Sequence, residues 1–443
     1  MENKFSFKKI LGNSMWSIIQ NIISLVLSVL VTSIVARYLG AEKYGLVNYI
    51  ISVVMLFTSF STLGMETILI KEFVDNKENE GRVIGTSFFM RLAGGIILLI
   101  ISQITLMILS PNDKTVQIIG AVMGSCMIFR SFEVIEYYLQ SKMKLKISSI
   151  IRIITLVFAS TSKILVVVFN WGIIGFTFSY LIDAIISGIL FYCWYKLKVN
   201  EKWKIDFKYA KAILSKCWYI AISGLMVTIY MRIDQVMLGS MMDDKIQNGL
   251  YSAAVRIAEM WYFIPLAIIT SFKPAIMNSK KVNENEYVRI LQRLYDLTVI
   301  IGVVCGVVIT IFAPLAIDIL YGAEFSGAAK ILSVSVWAGL FATLGSARSV
   351  WLVTEGLQKY SITYTLVGCI LNIGLNIFLI PNYGAFGAAI ATLVTQAFIN
   401  IFVLALFKET RISTKMILES LFKNKLVKDT LENIFKRVTR EEI

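Results

Sequence analysis

The sequence predicts an all-α polytopic membrane protein, with about twelve transmembrane helices in two six-helix bundles related by a parallel pseudo-two-fold repeat. Three observations predict it. The first is composition: of 443 residues, 57% are hydrophobic and only 16% charged, and the mean hydropathy is +0.73. A soluble chain is nearer roughly 45–50% apolar and 25% charged. A compact soluble core cannot hide this much apolar surface, so the remaining solvent for it is lipid. The second is the recurrence of uncharged runs of membrane-spanning length. The third is an echo between the two halves of the chain.

The runs come in order. Ile10–Ala36 is 27 residues without a charge, Tyr44–Met65 is 22, and Leu92–Asn112 and Leu297–Ile317 are 21 each. About 20 apolar residues, each rising 1.5 Å, cross the hydrocarbon. Tyr360–Phe407 is 48 uncharged residues interrupted by Pro381-Asn382-Tyr383-Gly384, which predicts two helices joined by a tight turn. Six further apolar segments carry internal charges: 115–139, 147–169, 173–195, 214–238, 249–272 and 328–353. The first run is too long for the apolar region of a signal peptide, and no small-residue cleavage site ends it.

Basic residues orient the spans. The odd-to-even connections hold Arg37, Lys43, Lys114 and Lys245. The termini and even-to-odd connections hold about thirty basic residues, which places both termini in the cytoplasm by the positive-inside rule. The formal charge of +14 is therefore mostly a topology signal, and a nucleic-acid partner is not expected. The expected domains are an N-terminal bundle at 1–195, a cytoplasmic interfacial linker at 196–209, a C-terminal bundle at 210–408 and a basic amphipathic tail at 409–443. The linker alternates basic residues with Trp203, Ile205 and Phe207. In the tail, Ile417, Leu421, Leu431, Phe435 and Val438 fall near one helical face, as in a helix lying on an anionic leaflet.

The echo consists of four matches in order. Trp16 pairs with Trp218 at an offset of 202, and Leu39-Gly40 with Leu238-Gly239 at 199. Tyr44-Gly45-Leu46 pairs with Asn248-Gly249-Leu250 at 204, and Asn170-Trp171-Gly172 with Asn382-Tyr383-Gly384 at 212. Six helices per half is an even number, so both halves enter from the same side. Such parallel repeats belong to transporters that rock about a site between the halves.

Several chemistries are excluded. There is no histidine, which removes Ser-His-Asp and Cys-His centres and the common zinc sites. The five cysteines lie far apart in apolar stretches, with neither metal nor disulfide spacing. No glycine-rich nucleotide loop precedes a basic residue, so ATP is not the expected energy source. No catalytic residue, metal or cofactor is expected; coupling to H+ or Na+ is the alternative source of drive.

The candidate site lies in charges within the spans, where each costs roughly 2.5–3.5 kcal/mol on insertion scales and so faces protein or a watery cavity. The cations are Arg130, Arg152, Lys163, Arg232, Arg256, Lys330 and Arg348, and the acids Glu133, Glu136, Asp183, Asp234 and Glu259. Arg130–Glu133 and Arg256–Glu259 are three apart and can pair on their own helices. Arg152 and Lys163 are eleven apart and share a face with no acid between them. Lys330 and Arg348, eighteen apart, share another. These stripes can line an electropositive chamber or snorkel to the interface. The first helix carries a polar stripe, Asn13, Ser17, Gln20, Ser24 and Ser28, suited to sugar hydroxyls or to another helix.

At this point the chain resembles the Wzx-type oligosaccharide flippases of the multidrug/oligosaccharidyl-lipid/polysaccharide exporter superfamily. The carrying residues are Ala36-Arg37-Tyr38-Leu39-Gly40-Ala41-Glu42-Lys43-Tyr44-Gly45, Arg232-Ile233-Asp234-Gln235-Val236-Met237-Leu238-Gly239 and Gly249-Leu250-Tyr251-Ser252-Ala253-Ala254-Val255-Arg256. The resemblance covers about residues 8–408, and of the candidate residues only Arg232, Asp234 and Arg256 stand inside its motifs. It implies translocation of a polyprenyl-diphosphate-linked oligosaccharide across the bacterial plasma membrane for surface polysaccharide, beside glycosyltransferases and a polymerase. Arg152, Lys163 and Arg348 are then the expected diphosphate binders, and Asp183 and Asp234 the expected ion-coupling acids. The alternatives are a multidrug or cation exporter, a flippase for the peptidoglycan precursor and a membrane-bound polymerase or glycosyltransferase. The cation excess speaks against a cationic drug, and the short outer loops speak against an enzyme.

Overall fold

The computed structural model of the protein describes residues 7–62, 65–75, 79–199 and 201–423. These are nearly all helical: α1 (Phe7–Thr62), α2 (Met65–Asp75), α3 (Glu80–Leu109), α4 (Lys114–Phe129), α5 (Val134–Ser141), α6 (Leu145–Val168), α7 (Gly172–Lys198), α8 (Phe207–Met241), α9 (Ile246–Ala258), α10 (Phe263–Val282), α11 (Glu284–Tyr321), α12 (Ala328–Thr354), α13 (Lys359–Phe398), α14 (Leu404–Leu406) and α15 (Arg411–Phe422). Nine segments of the described residues are long and apolar enough to cross a membrane. Two of them, Ile19–Thr58 and Lys359–Leu406, contain non-helical glycines that divide each into two spans. With α8, whose charges lower its hydropathy, the twelve expected spans are recovered.

The turns are set by glycine. Gly40 (φ 76°) bends α1 and Gly384 (φ 56°) bends α13, a left-handed backbone that costs glycine nothing and an L side chain about 1 kcal/mol or more. Gly172 (φ 66°), with Asn170 (φ 54°), turns α6 into α7. Gly172 and Gly384 are the matched glycines of the Asn-aromatic-Gly motif, so the motif is a turn used once in each half. The apolar surface faces outward as lipid requires. On α11, Val304, Ile311 and Ile319 are 55%, 66% and 62% exposed and recur at helical spacing on one face.

The chain divides into two compact units, residues 1–249 and 250–443, with the division inside α9. In the first unit, α1 packs on α6 and α8, α3 on α4, and α6 on α7. A cluster of Leu69, Phe73, Val83, Ile84, Val134, Tyr138, Phe191, Ile213 and Cys217 anchors one end. Within the linker, residues 201–206 are strapped along the start of α3. The Lys204 amide donates to Gly81 O (3.1 Å), the Asp206 amide to Thr86 Oγ1 (3.0 Å), and the Gly81 amide to Glu201 Oε2 (2.7 Å). Gly81 and Gly85, four apart on one face, let the strap approach: a Cβ on Gly85 would stand 2.7 Å from Lys204 O. Trp203 turns inward onto Phe88 and Tyr195, while Ile205 and Phe207 stay exposed.

In the second unit, α11 and α12 pack closely through Gly302 against Leu340 and Gly306 against Trp337. In the described part of the tail, α15 docks on α11, and Ile417 is fully buried. Ser420 Oγ donates to Asp296 Oδ1 (2.6 Å), Gln292 Nε2 donates to Ser420 Oγ (2.7 Å), and the Tyr295 and Ser413 hydroxyls share a hydrogen bond (3.0 Å). Leu431, Phe435 and Val438 lie outside the described residues. Of the cysteines, Cys126 and Cys217 are buried, as apolar packing requires, but Cys193 is exposed on α7.

Candidate functional site

Within the first unit, α3, α6, α7 and the 3-10 turn Arg130–Glu133 between α4 and α5 gather a charge cluster inside the spanning segments. Its centre is Glu133. Arg91 Nη2 donates to Glu133 Oε2 (2.9 Å) and Arg152 Nη2 to Glu133 Oε1 (3.2 Å). Arg152 also bridges to Glu136, which accepts a further hydrogen bond from Ser148 Oγ (2.6 Å). Arg91 is 1% exposed and donates to Tyr137 Oη (3.2 Å). Lys163, half-buried about three helical turns beyond Arg152 on α6, places its ammonium 4.4 Å from the centre of the Tyr180 ring. Asp183 on α7 feels the positive charges of Lys163, Arg130 and Arg152. Four cations thus face three acids in a low-dielectric setting where each unpaired charge is costly.

Two expectations change here. Glu133 takes Arg91 and Arg152 as salt-bridge partners rather than pairing along its own turn with Arg130. Arg152 is not an acid-free cation, because the facing segment supplies Glu133 and Glu136. The residue missed from sequence is Arg91. It immediately precedes the uncharged run at Leu92, but α3 begins at Glu80, so Arg91 stands eleven residues, about 16 Å, inside the helix. Helix start signals, not charge-free runs, would have found it.

The other candidates lie elsewhere. Arg348 on α12 is 7% exposed; its Nη1 donates to Asn400 Oδ1 (3.0 Å) and its guanidinium sits 4.7 Å from the Tyr364 ring centre. It is enclosed in the second unit. Lys330 is exposed, its ammonium over Phe386, as a snorkelling residue would be. Arg256 is exposed, Arg232 half-buried and Asp234 buried. Gln20 and Ser24 are half-buried on α1 and Ser28 Oγ bonds Leu25 O (3.1 Å) in its own helix; the side chains of Asn13 and Ser17 lie outside the described residues.

A second arrangement joins α1 to the end of α8 and the start of α9. A Cβ on Gly45 would fall inside the van der Waals radius of Lys245 O and 2.6 Å from Gly249 N. A Cβ on Gly249 would likewise strike Ala41 O and lie 2.9 Å from Ala41 C. Residues 41 and 245, like 45 and 249, are 204 apart, so the contact is reciprocal: each half's glycine seats on the equivalent carbonyl of the other. Asn248 Nδ2 donates to Gly45 O (2.8 Å), and Ser52 Oγ donates to Gln235 Oε1. Lys245 Nζ donates to Gly239 O (2.5 Å) and Met242 O (3.0 Å).

Twelve candidate spans in two repeated sets, with charges held inside the spanning segments and a glycine-mediated contact between the leading helices of the sets, make up a multi-pass membrane protein of two six-helix sets. The solved structure of a lipid II flippase MurJ in an inward closed conformation aligns with a TM-score of 0.73 at 18% identity, over 94% of this chain and 92% of that one. An inward-facing multidrug resistance MATE family transporter aligns at 0.70 and 14% identity, over 92% and 96%. The chain belongs to the polysaccharide biosynthesis protein family, whose model matches residues 34–330. Among its relatives, an uncharacterized membrane protein of Methanocaldococcus jannaschii is 23% identical over 91% of this chain and 99% of its own length. A probable flippase, AglR, of Haloferax volcanii is 26% identical over 60% of this chain and 56% of its own.

Proposed function

We propose that the protein flips a polyprenyl-diphosphate-linked oligosaccharide across the plasma membrane by alternating access, supplying surface polysaccharide assembly beside glycosyltransferases and a polymerase. The observation that carries this reading is the intramembrane cluster of Arg91, Arg130, Arg152 and Lys163 against Glu133, Glu136 and Asp183. A diphosphate cannot cross hydrocarbon unaccompanied, because an uncompensated charge there costs several kcal/mol or more. A cluster with a cation in excess lowers that barrier while the polyprenyl tail stays in lipid. The relative named as a probable flippase and the family's part in polysaccharide biosynthesis support a flipping step in that process.

In this scheme Lys163 and Arg130 meet the diphosphate. Arg152 lends its charge through Glu133 and Glu136, and Arg348 acts from its own enclosed site in the second unit. Asp183, flanked by three cations, is the ion-coupling acid, with Asp234 the second choice; H+ or Na+ is the coupling ion. Both termini are cytoplasmic, and the Gly45–Gly249 contact, at odd-to-even connections, closes the outer face. The protein has no catalytic step of its own. The test is flipping of a labelled polyprenyl-diphosphate oligosaccharide in proteoliposomes, read by lectin access. Lys163→Gln and Arg130→Gln should each slow flipping more than tenfold, while Lys330→Gln should not. Wild-type rates in both cluster variants would overturn the proposal.

A further inference from the structure

We propose that the junction of α7 with the 201–206 strap is a binding site for an anionic phospholipid. The junction holds a hollow of about 480 Å³ lined by Phe88, Phe132, Tyr192, Tyr195 and Trp203, with Lys196, Lys202 and Glu201 at its rim. That volume lies in the range of small-ligand pockets. The rings form one connected wall: Phe88 meets Phe132 at 4.8 Å and Trp203 at 4.9 Å between centroids, and Phe132 meets Tyr192 at 5.8 Å. Interfacial aromatics of membrane proteins gather in belts at headgroup level. Here they converge with two ammonium groups on one hollow.

Charge and shape together identify the occupant. The Gly81 amide holds the Glu201 carboxylate (2.7 Å), and Lys196 and Lys202 outnumber it, so the rim is net positive. Two lysines select a phosphate. Leading away from the hollow along α7 is an exposed face of Ile182, Ile189 and Cys193 that ends at Lys196, spaced seven, four and three residues apart. Ile189 is 54% exposed. A phosphodiester seated on the lysines would lay its acyl chain along that stripe and its glycerol against the rings. A free phosphate would use only the rim. Because the strap is also pinned to α3 through Gly81 and Thr86, the bound lipid fastens the segment that joins the two repeated sets of helices.

The experiment uses the purified full chain and phosphatidylglycerol brominated on its acyl chains, which quenches nearby tryptophan. Addition should quench a component that Trp203→Phe removes and Trp218→Phe, on α8, retains. Lys196→Gln with Lys202→Gln, both exposed and so compatible with folding, should weaken phosphatidylglycerol binding about tenfold or more and leave brominated phosphatidylcholine unaffected. Millimolar glycerol phosphate should not displace the lipid. Equal binding of the two lipids, an unaltered double variant, or displacement by glycerol phosphate would each overturn the assignment. Flipping is not needed as a readout, so the result stands apart from the transport proposal.

Discussion

Gly249→Ala tests the reciprocal contact directly. The added Cβ must move from 2.9 Å to at least the 3.4 Å at which ordinary contact with Ala41 C begins, and it also collides with the Ala41 carbonyl oxygen. In Gly45→Ala the corresponding gap opens from 2.6 Å to 3.4 Å, about 0.8 Å, against Gly249 N. All the opposing atoms are backbone and cannot swing away. Overpacking of this kind costs about 1–3 kcal/mol, and because the strain exists only while α1 and α8–α9 touch, it falls on the closed arrangement. The expected shift toward the separated arrangement is about 5–150-fold. Spin labels at Lys43→Cys and Asp244→Cys in a background lacking the native cysteines would report it as a longer interlabel distance in either glycine variant. Gly224→Ala, where nothing lies within 4 Å of the new Cβ, should leave the distance unchanged. Wild-type distance distributions in both Gly45→Ala and Gly249→Ala would refute the reasoning.

Three further outcomes are expected. Arg91→Met leaves Glu133 short of a partner in a buried network and should lower stability by about 3–5 kcal/mol, seen as a lower midpoint of thermal unfolding in detergent, with Arg91→Met/Glu133→Gln recovering much of the loss. Ser420→Ala removes the hydrogen bond to Asp296 and should cost about 1.5–3 kcal/mol; protease cleavage after α15 would then quicken while α1–α7 stay protected. The Tyr209 amide, 3.0 Å from Asp206 Oδ1, and Arg82 beside it hold the Asp206 carboxyl below its usual range. A depressed folded pKa gives stabilisation that is complete above the unfolded value, about 3.9, and is lost as pH falls through the folded one. Amide exchange in residues 201–206 should therefore show constant protection from pH 8 to 5 and a loss only in acid, whereas Asp206→Asn should loosen the strap at pH 7.

The spans and their turns were legible because lipid imposes a length and a polarity that few alternatives satisfy. The turn at Gly384 was readable for the same reason that it works, a backbone that other residues resist, whereas the break at Gly40 was read from the charges around it. The matched Tyr44-Gly45-Leu46 and Asn248-Gly249-Leu250 were read only as a repeat, and the structure adds a reciprocal contact between them. What sequence could not give were partners across helices. Glu133 is three residues from Arg130 yet binds Arg91, 42 residues away on α3. Nor could sequence give what the linker and tail pack against: the glycines on α3 receive the one, and Gln292 of α11 the other.

The lock at Gly45 and Gly249 has the geometry of a symmetric dimer, in which residue i of one subunit meets j of the other and j meets i. Joined in one polypeptide, the two copies are free to drift apart, and at this seam they have done so unequally. The glycine seats keep their twofold likeness, while the Ser52–Gln235 bond has no twin, since Arg256 and Val31 occupy the positions 204 residues away. A lesion on one side of the seam is therefore felt once rather than twice, which lets a fused chain specialise one rim of its closure without forfeiting the other.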